Sequence, residues 1–161
     1  MTENLTIRGY YGIGIYHGKS EVNIGTLMRS AVSFGASFIF TVGRRYQIQA
    51  SDTLKSTRQI PCYNYLDIEQ LMAHLPHACR LVGIELADGA REVGNYCHPH
   101  NCIYMLGAED HGIPPKDMAK CHEIITIPGG TYCHNVAVSG AIVMFDRHRY
   151  FNNRPLVRAA A

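Results

Sequence analysis

The chain has 161 residues, of which 47% are hydrophobic and 17% charged, and its formal net charge is +2. This balance excludes a disordered or collagen-like chain and suits one domain able to bury a core without disulfide or metal staples. The small positive charge permits nucleic-acid binding without demanding it, so function has to be read from motifs.

Apolar runs alternate with amphipathic stretches along the chain. Residues 10–16 (YYGIGIY) read as a strand, and 24–34 as a helix with Ile24, Leu27, Met28, Ala31 and Phe34 on one face. Further strands are expected at 37–42 and 60–65, then a short helix at 68–74. Strands follow at 80–86, 102–106 and 122–127, and a long apolar helix at 135–149. No repeat or Pro/Ser-rich linker divides the chain, so a single domain over residues 1–161 is expected, with its core at about 10–150. Continuous apolar strands separated by helices predict an α/β fold, a parallel sheet covered on both faces. Ligands of such sheets bind beyond the carboxyl ends of the strands. The Gly-, Asn- and Pro-rich stretches 18–25, 107–115 and 128–135 are therefore the candidate site.

Six cysteines lie in a chain with apolar residues enough not to need a disulfide framework. The first residues are polar, and no apolar run approaches the ~20 residues of a membrane span. A cytoplasmic protein with reduced thiols is the expectation. The run Cys97-His98-Pro99-His100-Asn101-Cys102 packs four potential metal ligands into one stretch. Zinc sites join ligand pairs across a longer loop, so an ordinary loop is preferred to structural zinc.

In the first candidate stretch, Asn23 is expected to cap the helix, Gly25 to allow close approach, and Arg29 to lie on the helix leaving the loop. From spacing alone Arg29 reads as an arginine laid along an amphipathic helix with its head in water. In the second, an apolar strand ends at Gly107, and Glu109, Asp110 and His111 precede Gly112. In the third, Ile127-Pro128 runs into Gly129-Gly130, then Cys133-His134-Asn135 and the apolar helix.

Together and in this order, these stretches resemble the three motifs of the SpoU (TrmH-like) branch of the SPOUT methyltransferases. Asn23-x-Gly25-x-x-x-Arg29-x-Ala31 with Phe34-Gly35-Ala36 is similar to the first. Leu106-Gly107-x-Glu109-x-x-Gly112-Ile113 is similar to the second, and Ile127-Pro128 followed by Asn135-Val-Ala-Val to the third. The resemblance implies a SPOUT fold with a deep C-terminal trefoil knot, one of the rare exceptions to un-knotted chains. It implies an RNA 2′-O-ribose methyltransferase acting as a homodimer on tRNA or rRNA, without DNA, membrane or metal. The methyl donor would be S-adenosylmethionine, leaving S-adenosylhomocysteine, held by Leu106, Gly107, Gly112, Ile127, Pro128 and His134. Arg29 would be the catalytic residue, supporting the developing alkoxide electrostatically. Asn23, Glu109 and Asn135 would brace the site, Glu109 as the ionic partner of Arg29.

Two departures stand out. Ser20 occupies a position where many members carry another Asn, and Cys133-His134-Asn135 stands for the usual Ser-Leu-Asn in a shortened loop. Two alternatives to the 2′-O-methyltransferase remain open, a SPOUT base methyltransferase and a non-catalytic RNA-binding or assembly protein. The stretch Arg147-His-Arg149-Tyr150-Phe151-Asn-Asn-Arg154 reads equally as a phosphate-contacting surface with aromatic interleaving and as a solvated helix end. The two long helices, apolar over more than one face, are expected to form the dimer interface.

Overall fold

The computed structural model describes residues 9–44, 58–129 and 133–152. Seven strands form one sheet: β1 (Tyr11–Tyr16), β2 (Phe38–Val42), β3 (Cys62–Tyr65), β4 (Arg80–Ile84), β5 (Arg91–Glu92), β6 (Cys102–Leu106) and β7 (Glu123–Thr126). The helices are α1 (Glu21–Ser33), α2 (Ile68–Ala73), α3 (Pro115–Met118) and α4 (Val136–Asn152), with a 3-10 turn at Val93–Asn95. The spatial order is β3-β2-β1-β6-β4-β7-β5, and every pairing is parallel.

Alternation along the central strands feeds two cores. Ile13 and Ile15 of β1 and Tyr104 and Leu106 of β6 pack with Ile24, Leu27 and Met28 of α1 and Val143 and Met144 of α4. On the other face Phe40, Ile103 and Met105 pack with Ile68 and Leu71 of α2. Strands buried on both faces must be apolar at successive positions, which is why they read as unbroken runs. Gly12 and Gly14 leave room for the rings of Phe38 and Phe40 on the neighbouring strand.

The expected parallel α/β sheet is present, with element ends shifted by a few residues. β5 and α3 went unread: a two-residue edge strand has no periodicity, and Pro114-Pro115 reads as a loop. The helix cap differs. α1 begins at Glu21, three residues earlier than expected, because the Ser20 hydroxyl accepts the Asn23 N–H at 3.4 Å. Asn23 therefore lies inside the first turn and its amide is available elsewhere. The threading expected of a knot depends partly on residues 130–132, which lie outside the described residues.

Candidate active site

The carboxyl ends of β4, β6 and β7 and the start of α4 enclose a cavity of about 480 Å³, within the ~300–1,000 Å³ typical of small-ligand sites. Ile84, Leu86, Leu106, Ile127 and Val136 supply apolar wall, and the 107–112 loop forms one side. Of the six expected cofactor positions, Leu106, Gly107, Gly112, Ile127 and His134 line the cavity; exposed Pro128 stands just outside it.

Three of the expected site side chains form one polar chain at its rim. Asn135 Nδ2 donates to Asn23 Oδ1 at 3.0 Å, and Asn23 Nδ2 donates to Glu109 Oε1 at 2.9 Å. Asn135 Oδ1 accepts the Ala137 N–H at 2.9 Å, capping α4 and fixing the amide's orientation. Glu109 Oε2 accepts the Lys19 N–H at 3.1 Å, at the entry to α1. Burial works to raise the Glu109 pKa, but the Asn23 amide and the N–H groups of Lys19 and Ser20 outweigh it, and the net shift is downward. Each Asn keeps one amide hydrogen that no described residue takes.

Arg29 is not in this group. The expected Glu109–Arg29 pair is absent: Glu109 is committed to Asn23 and the backbone ahead of α1, and Arg29 is exposed with no hydrogen bond or ion pair among the described residues. The helix explains it. Arg29 lies six residues beyond Asn23, about 9 Å along the axis and roughly 120° around it. One chain therefore does not turn both side chains to its own cavity.

Glu85, just beyond β4, is a cavity residue that the sequence reading missed. Its Oε2 accepts the Ile113 N–H at 2.8 Å and its Oε1 the Leu86 N–H at 2.9 Å. The strand expected over 80–86 runs through it. The available signal was an acid at the carboxyl end of an otherwise apolar central strand. Glu85 also changes the account of the second motif. A Cβ on Gly107 would collide with Glu85 Oε2 and lie 2.7 Å from the Gly112 backbone. The glycine thus makes room for the protein's own carboxylate and loop, rather than only for a ligand.

The expectation for the basic helix end is corrected. Arg147 is buried, at 3% exposure. Its guanidinium donates to the His100 carbonyl at 2.8 Å and to the Pro99 carbonyl, and stacks on Tyr11 and Phe151 at 4.8 and 4.7 Å. It cannot present itself to phosphate. Arg149 bonds Asp146, and Arg154 lies outside the described residues. In the Cys97–Cys102 run, His98 is buried between Tyr104 Oη (2.6 Å) and Asp146 Oδ2 (3.0 Å). Burial pushes the Cys102 thiol up to about 11, unlike a ready thiolate ligand. Among the described residues no three His, Cys, Asp or Glu side chains are grouped as a metal site, and no helix is long and apolar enough to cross a membrane.

The arrangement suits a nucleoside-sized ligand. Apolar walls can cover a base, strand ends offer backbone N–H and C=O groups, and three carboxylates (Glu85, Glu109, Asp110) line the cavity with no Lys or Arg among its described residues. That donor set fits the positively charged S-adenosylmethionine.

The model of the SpoU rRNA Methylase family matches residues 13–145. A curated relative, 23S rRNA (guanosine-2'-O-)-methyltransferase RlmB of Acinetobacter baylyi, is 22% identical over 136 residues, covering 79% of the chain and 54% of that enzyme. The chain thus spans about half of that relative's length. Among solved structures, the SpoU methyltransferase AviRb of Streptomyces viridochromogenes in complex with AdoMet superposes with a TM-score of 0.74 at 20% identity, over 88% of this chain and 58% of that one. A structure concerned with the 2-OH methylation of C/U34 on tRNA superposes at 0.78 and 17% identity, over 91% and 99%. The A. aeolicus TrmH/SpoU tRNA modifying enzyme gives 0.77 and 16%, over 95% and 85%. At these identities the superpositions establish a shared fold.

Proposed function

Because the chain belongs to the SpoU rRNA methylase family, we propose that it is an S-adenosylmethionine-dependent methyltransferase acting on a ribose 2′-hydroxyl of RNA, in tRNA or rRNA. The observation that carries the reading is the joining of the Asn135–Asn23–Glu109 chain to an acidic, apolar-walled cavity at the strand ends. When bound, S-adenosylmethionine supplies a methyl carbon on a sulfonium, which an oxygen nucleophile must approach in line. The residues proposed to hold it are Leu106, Gly107, Gly112, Ile127 and His134, with Pro128 beside them.

The protein's own task is then positioning and charge stabilisation. The fixed amides of Asn23 and Asn135 each retain a hydrogen to direct a ribose or phosphate oxygen. Glu109 holds Asn23 and stays charged through its hydrogen bonds. Arg29 engages the RNA phosphate beside the reacting ribose. A guanidinium keeps its proton, so its contribution is to steady negative charge as the hydroxyl releases its own proton to water.

The exposed position of Arg29 is accounted for by a homodimer in which one subunit's Arg29 serves its partner's cavity. Val22 on α1 and Val138 and Phe145 on α4 are exposed at 68, 49 and 55%, a cost that a second copy would remove. Sedimentation should then give a dimer at micromolar concentration, and a monomer would count against the shared site. Mapping methylated riboses in cells with and without the gene tests the activity and names the substrate. Loss of one methylated position is expected, whereas an unchanged map would favour a non-catalytic RNA-binding protein.

A further inference from the structure

The three acids of the cavity are compensated unequally. Asp110 pairs with Lys19. Glu109 takes the Asn23 amide and N–H groups at the positive end of α1. Glu85 accepts only the Ile113 and Leu86 N–H groups and makes no ion pair among the described residues. Those bonds satisfy its oxygens but leave its charge without a counter-ion in a partly enclosed cavity, where it would attract a cation. Gly107 and Gly112 both lie against this carboxylate, and its bond from the Ile113 N–H ties it to the loop that walls the cavity.

S-adenosylmethionine carries a sulfonium and an ammonium against one carboxylate, a net charge of one positive unit. Transfer of the methyl group to oxygen leaves the electron pair on sulfur, and the product is neutral overall. We propose that Glu85 makes this cavity discriminate by charge, holding the cationic methyl donor more tightly than the neutral product and thereby favouring product exchange. The inference rests on the reading that the cavity holds this cofactor. It adds a specificity-determining residue acting through its uncompensated charge.

The test is calorimetric. Affinities of the wild-type protein and of Glu85→Gln are measured for S-adenosylmethionine, for S-adenosylhomocysteine and for sinefungin, which bears an amine cation in place of the sulfonium. Gln keeps an acceptor for the Ile113 N–H while removing the charge. The wild type should prefer the two cations, and Glu85→Gln should lose about tenfold on both while changing less than about twofold on the product. Raising salt from about 0.05 to 0.5 M should narrow the wild-type preference in the same direction, a measurement that stands if the variant folds poorly. Equal losses on all three ligands would overturn the proposal, since Glu85 would then read the shared nucleoside. So would an absent or salt-independent preference for the cations. Both results leave the cofactor reading intact, whereas failure of the wild type to bind any of the three overturns both.

Discussion

Gly107→Ala puts a single methyl group where the 107–112 loop folds back against Glu85. The new Cβ would stand 2.7 Å from the Gly112 Cα and carbonyl carbon, against the ~3.5–4.0 Å at which carbon atoms rest in contact. Glu85 Oε2, also in the way, ends a side chain that can turn; the Gly112 backbone cannot. It is held by the reciprocal Ala108–Gly112 bonds at 3.2 and 3.0 Å and by the Ile113 N–H on Glu85. A shift of roughly 0.8 Å or more is needed, and overpacking of this kind costs about 1–3 kcal/mol. Loss of the Glu85–Ile113 bond, to a charged acceptor, adds about 1.5–3 kcal/mol wherever it breaks. The loop lies at the strand ends rather than in either core, so most of the strain should appear as local displacement. The melting temperature should fall by about 3–10 °C, and S-adenosylhomocysteine affinity by tenfold or more, measured by calorimetry. Wild-type affinity together with an unchanged melting temperature would refute the reasoning, because the loop would have absorbed the methyl group at no cost.

Three further outcomes are expected. Arg29→Ala should lower methyl transfer roughly a hundredfold with S-adenosylhomocysteine affinity kept, and Arg29→Lys should recover little because the planar fork is lost; near-normal transfer by Arg29→Ala would make it a bystander. Arg147→Ala should destabilise by about 2–5 kcal/mol in urea unfolding, from the lost packing and the lost hydrogen bonds to the carbonyls of Pro99 and His100; less than about 1 kcal/mol would contradict its structural role. Burial first, aided by Arg147 and Arg149 and opposed by Asp146, lowers the pKa of His98 below the ordinary imidazole value of 6.5. The folded state therefore binds this proton less readily than the unfolded one, so the His98 contribution is full above pH ~6.5 and is lost as pH falls toward the lowered value. Replacing His98 with Gln should flatten that part of the stability curve, above the range where carboxylates titrate.

The strands were legible because parallel strands covered on both faces have to be apolar at successive positions, as in Cys102–Leu106. Their order was not: nothing local tells β7 to insert between β4 and β5, or β6 between β1 and β4. β5 was invisible because Arg91–Glu92 is too short for a period. Within the candidate site, Leu106, Gly107, Gly112, Ile127 and His134 were singled out through motif order, and the structure gathers them around one cavity. Glu85 was lost inside an apparent strand, and Ser20 was passed over as a cap in favour of Asn23. Arg147 misled for a different reason. A basic helix end reads as solvated, and only the tertiary fold brings to it the Pro99 and His100 carbonyls of the 96–101 loop and the rings of Tyr11 and Phe151 that bury it. Arg29 lies on the helix expected, but its spacing from Asn23 turns it away from its own cavity.

The central claim is that this protein methylates the ribose oxygen of RNA, and the fate of the transferred methyl group under alkali tests it most directly. RNA lacking the modification is incubated with the purified protein and methyl-labelled S-adenosylmethionine, then hydrolysed with alkali, which cleaves only beside a free 2′-hydroxyl. Label recovered in alkali-stable dinucleotides is the predicted result. Label confined to mononucleotides, the signature of a methylated base, would contradict the claim, as would no incorporation into any RNA.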